Sequence, residues 1–106
     1  MNALIRYTTP TITFKFDTVD PADITAAYLT IKNVTNLSTA LISKALSAAS
    51  VGEDTLSWTL AQTDTALLPA GESMNVYCDW KLANGTRGRS VVVTCYVYET
   101  GKEEVI

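Results

Sequence analysis

The sequence predicts an all-β fold, a two-sheet antiparallel sandwich, on three observations. Apolar residues recur at every second position in five separate segments, the period of a half-buried strand. Pro, Gly, Asn and Asp punctuate those segments at short intervals, as turns do. The chain has 106 residues, 47% hydrophobic and 18% charged, enough for one core and too few for two. Residues 1–106 are therefore read as a single domain.

The first strand is Thr11-Ile12-Thr13-Phe14-Lys15-Phe16, with Ile12, Phe14 and Phe16 on one face and Pro10 suited to the strand start. Asp17 to Asp23, which includes Pro21, reads as a turn. Ala27, Leu29 and Ile31 point inward from the next strand, and polar Asn33 to Thr39 reads as a loop. Leu41 to Val51 is open to two readings. Leu37, Leu41, Ala45 and Ala49 would line a helix capped by Ser38, and its alanines favour helix. Ile42, Lys44 and Leu46 would share one side of a strand, the reading preferred in all-β surroundings. Leu56, Trp58 and Leu60 then form a clean inward row. Residues 61–67 lack alternation, and Thr59 and Gln62 have capping-box spacing, so one short helical turn is expected there.

The last third reads as a long hairpin. Met74, Val76, Cys78, Trp80 and Leu82 alternate with Asn75, Tyr77, Asp79 and Lys81, and Asn84-Gly85 signals the turn. Ser90 to Tyr98 is the returning strand, with Val91, Val93, Cys95 and Val97 on one face. A six-residue loop would set Cys78 opposite Cys95; a tight turn would set it opposite Val91. About six or seven strands at this spacing make an immunoglobulin-like sandwich. Phe14, Phe16, Leu29, Ile31, Leu56, Trp58, Val76, Trp80, Val93 and Val97 are its expected core.

Composition narrows the function classes. The net charge is −3 with no His, so the common general base and metal ligand is missing and catalysis is not expected. No cofactor or metal is expected: two Cys cannot fill a zinc shell. Asp17, Asp20 and Asp23 are better read as turn residues than as calcium ligands. The acidic balance argues against nucleic acid, the short apolar runs against a membrane span. The first ten residues lack a signal-peptide pattern; with no such leader, Cys78 and Cys95 are expected to be reduced, buried thiols, and the three Asn-x-Ser/Thr sequons to be fortuitous. What remains is contact. Tyr77, Tyr96 and Tyr98 fall on the outward face, and Arg87 and Arg89 follow the hairpin turn, making these five the candidate interface residues.

Three segments carry a family resemblance. Pro10-Thr11-Ile12-Thr13-Phe14-Lys15-Phe16 opens the chain. Leu60-Ala61-Gln62-Thr63-Asp64-Thr65 resembles a Leu-Thr-Gln-Glu-Glu-Thr signature at a sheet crossover. Asn84-Gly85-Thr86-Arg87-Gly88-Arg89-Ser90 and the closing Glu104-Val105-Ile106 resemble an Asp-Gly-Thr-Arg-x-x-Ser loop and ending. Together they are similar to the N-terminal domain of phage baseplate upper proteins and to small prophage proteins related to it. Ala61, Asp64 and Asn84 depart from that pattern. The resemblance implies a non-enzymatic structural protein, an adaptor or decoration component of a tail or baseplate. Its partners would be tail proteins or further copies of itself, and its setting the bacterial host cytoplasm during assembly, then the virion. The competing expectation is an immunoglobulin-like module for a carbohydrate or cell-surface ligand, which would need Trp58 or Trp80 facing solvent.

Overall fold

A computed structural model of the chain describes residues 2–100. Its strands are β1 (Asn2–Ile5), β2 (Thr11–Lys15), β3 (Ile24–Asn33), β4 (Asn36–Ala45), β5 (Ser50–Val51), β6 (Thr55–Thr59), β7 (Ser73–Leu82), β8 (Arg87–Arg89) and β9 (Val93–Tyr98), with a one-turn helix α1 (Gln62–Thr65). They form a six-stranded sheet in the order β1-β9-β7-β3-β4, with β8 also on β7, and a three-stranded sheet in the order β2-β6-β5. This is the expected immunoglobulin-like sandwich: the short sheet packs on the long one, and the chain crosses between them through α1.

Alternation decides which side chains meet between the sheets. Phe14, Leu56 and Trp58 come from the short sheet, with Leu60 just past the end of β6; Leu29, Ile31, Met74, Val76, Cys78, Cys95 and Val97 come from the long one, and all are buried. Trp58, only 1% exposed, is the largest of them. Its ring stands edge-on to Phe14 at 5.9 Å, and its indole N–H donates to the Ala45 carbonyl at 2.9 Å. That bond spares a buried donor the cost of going unpaired.

Several expectations are corrected. β1 pairs with β9 in parallel, so the sandwich is not wholly antiparallel. Polar Asn36 to Thr39 are strand rather than loop, because β3 and β4 join through a tight turn in which Asn33 accepts bonds from the Thr35 amide and hydroxyl. Leu41 to Ala45 are strand, as preferred, but Leu46–Ala48 form a 3₁₀ turn, and so do Pro21–Asp23. The helical turn lies where expected, but its cap is Ala61, whose amide donates to Asp64 at 2.9 Å, and not Thr59. Phe16 and Trp80 are half-buried, and Val93 is exposed.

The returning strand is broken in two. The Gly85 amide donates to the Leu82 carbonyl and Leu82 to Thr86, closing a three-residue loop whose last residue, Gly85, takes φ +89°. β8 then pairs Asp79 with Arg89 and Lys81 with Arg87. At Ser90 the backbone amide donates to Cys78 and the side-chain oxygen accepts from the Cys78 amide, taking over a ladder bond. The chain slips by one residue, and β9 resumes with Val93 opposite Val76 and Cys95 opposite Met74. The two thiols therefore do not face one another, and both are free and buried.

Candidate interaction face

Residues that alternate with the core line the outer face of the long sheet, and all five candidate residues stand on it. The register divides them into two groups. Tyr96 lies opposite Ser73, four residues along β7 from Tyr77, a separation of about 13 Å at strand rise. Tyr96 and Tyr98 form an aromatic pair at 4.7 Å, with Tyr98 51% exposed and Ile5 exposed beside it on β1. At the hairpin end, Arg87 and Arg89 join Tyr77.

Tyr77 is the exception: it is 7% exposed, not a surface tyrosine. Thr30 faces it across the ladder, and the Arg89 guanidinium lies over its ring at 4.6 Å. The same Arg89 donates to Asp79 at 2.7 Å, and that carboxylate keeps the guanidinium more firmly protonated than usual. Tyr77 thus acts as the floor on which Arg89 is held in place, a cation–π and ion-pair arrangement. Sequence reasoning missed Tyr28. It alternates with Ala27 and Leu29, pairs with Asp79, is 51% exposed and lines a shallow depression with Ala26, Lys81 and Arg87. Strand parity alone could have identified it.

The crossover signature has a structural task. Thr65 is wholly buried; its hydroxyl donates to the Thr8 carbonyl and accepts from the Thr8 amide. Asp64 takes the Ala61 amide and pairs with Lys44 at 2.9 Å, tying α1 to β4. Burial opposes its charge, but that amide and the Lys44 ammonium outweigh burial and hold its carboxyl below the usual range. Arg6 reaches the Ala66 carbonyl and both oxygens of Glu99, joining the ends of β1, α1 and β9.

The remaining chemical groups do not converge. Burial, then the Asp79 charge, pushes the Cys78 thiol up to about 12, and burial raises Cys95 as well, so neither is poised as a thiolate. Asp20 caps the Pro21–Asp23 turn by accepting from the Ala22 amide. Among the described residues no group of three or more Cys, Asp or Glu gathers to hold a metal ion, and no helix is long and apolar enough to cross a membrane. Trp58 is enclosed, and Trp80 packs against the core with its ring edge-on to Phe16 at 6.1 Å. No protein-family model matches the chain, and no curated protein matches it.

Proposed function

We propose that this chain is a non-enzymatic structural protein of a phage or prophage tail, an adaptor or decoration component that works through protein–protein contacts, and that the outer face of its long sheet is the contact surface. The phage assignment rests on the resemblance carried by the Leu60–Thr65 signature and the Asn84–Ser90 loop. The contact assignment rests above all on one observation: Tyr98 and Ile5, both exposed, form an aromatic and aliphatic patch on the face opposite the core, with half-buried Tyr96 packed beside Tyr98. Tyr is favoured at interfaces because it covers a large area with few torsions and keeps a polar tip. The setting is the host cytoplasm during assembly and then the virion, with tail or baseplate proteins or copies of the chain as partners.

Light scattering of the purified chain, alone and mixed with baseplate proteins from the same phage genome, tests this reading. The expected result is a defined oligomer or complex that Tyr98→Ala weakens by about ten-fold without lowering Tm, as for an interface anchor. A chain that stays monomeric and binds no tail component overturns it.

A further inference from the structure

At the hairpin corner, three features meet at one open strand edge. Backbone bonds between β7 and β8 use Thr86 and Ser90, the residues flanking β8, and by alternation Gly88. The amides and carbonyls of Arg87 and Arg89 therefore point away from β7, and among the described residues β8 pairs with β7 alone. Their side chains stand on the outer face, about 7 Å apart along the strand. Arg87 faces Lys81 directly, a like-charge pair that repels across the ladder in a chain whose net charge is −3. Among the described residues Arg87 forms no ion pair.

The inner side of the same edge offers one apolar seat, the Trp80 ring. Gly88 has no side chain, and a β-carbon there would fall 2.2 Å from the Trp80 ring, so the indole lies across the strand and extends toward the edge. Beyond it runs an open groove of about 600 Å³ in which Phe16, Val19 and Val91 alternate with polar residues that include Lys15 and Asp17. Val91 is 83% exposed on its rim.

We infer that the β8 edge is the docking site for an extended segment of a partner protein with the pattern acidic–apolar–acidic, added as a further strand. One carboxylate pairs with Arg87 across the new ladder and relieves the Lys81–Arg87 repulsion; the other joins Arg89, whose Nε is already held by Asp79. The apolar residue between them lies opposite Gly88 and turns inward against the Trp80 ring. Main-chain bonds give the affinity and the alternating side chains the selectivity. Charge complementarity selects this occupant over a second copy, whose acidic surplus brings no such alternating segment to the described surface. This inference rests on the reading of the chain as an assembly module and gives one partner its chemistry.

The test uses the full chain and a labelled heptapeptide, Gly-Glu-Val-Glu-Val-Glu-Gly, followed by fluorescence anisotropy. Replacing its glutamates by glutamines, or the chain's Arg87→Glu, should weaken binding by about ten-fold or more, and added salt should weaken it too. Methylating the glutamate amides should abolish it. Lys32→Glu changes the chain's net charge equally and should leave binding within about two-fold, since this cation lies elsewhere on the same face. No binding by the chain, retention by the glutamine or methylated peptide, or equal loss in Lys32→Glu overturns the inference. If the peptide fails while the chain still forms complexes that Arg87→Glu leaves intact, the assembly reading survives; a chain that does neither loses both.

Discussion

Replacing Thr65 separates shape from hydrogen bonding at the crossover. Valine has nearly the same volume as threonine and fills the same site, but cannot donate to the Thr8 carbonyl at 2.9 Å or accept from the Thr8 amide at 3.0 Å. Each net bond is worth about 1 kcal/mol, and each polar group stranded away from water costs about 1–3 kcal/mol. Thr8 is only part-buried, so water recovers some of that, and Thr65→Val should cost about 2–3 kcal/mol. Thr65→Ser keeps the hydroxyl and loses one methyl, about 1 kcal/mol. The polar replacement should thus be the milder one, the reverse of what burial alone implies for a residue with 0% exposure. For a domain of this size the valine variant should melt about 10 °C lower. Thermal and urea unfolding of the two variants decide the matter. A valine variant as stable as the parent, or more stable than the serine variant, refutes the role given to the Thr65–Thr8 pair.

Other outcomes follow from the same contacts. Gly88→Ala forces the Trp80 ring off its seat and should cost about 1–3 kcal/mol, with a shift in tryptophan fluorescence that a change at exposed Gly85 would not share. Asp64, with its carboxyl held below the usual range in the folded chain, gives stability that is present above about pH 4 and lost as the pH falls through its folded value. Asp64→Asn should flatten that part of the acid limb in a pH series of melts. Native chain should react slowly with a thiol reagent at pH 8, because Cys78 ionises only near 12 and Cys95 is buried; both thiols should react at once in denaturant.

The sequence was most informative where one face is buried, since a strand with period two leaves little freedom in register or facing. Ile12 and Phe14, Leu29 and Ile31, and Leu56 and Trp58 all point where alternation sends them. It was silent on β1. Ala3-Leu4-Ile5 is too short to show a period, and its partner is the far end of the chain, so no turn links the two. The break at Ser90 was hidden for another reason. A valine run suggests one continuous strand, whereas the Ser90 hydroxyl competes for the Cys78 amide and shifts all that follows. Tyr77 was misjudged for a third reason. Parity places it outward, but Arg89, opposite Asp79 on β8, reaches diagonally over its ring and covers it. The outward pair Tyr96 and Tyr98 needed only parity, and Tyr28 needed no more.

The parallel seam between β1 and β9 sets how the domain carries load. A pull on the start of β1 and the end of β9 acts in opposite senses along one axis, so the four paired positions and the Arg6–Tyr98 bond resist sliding together instead of unzipping in turn. Arg6 adds a rivet at the same place by gripping Glu99. A part joined to its neighbours through these strands would hold under tension that peels an ordinary hairpin apart.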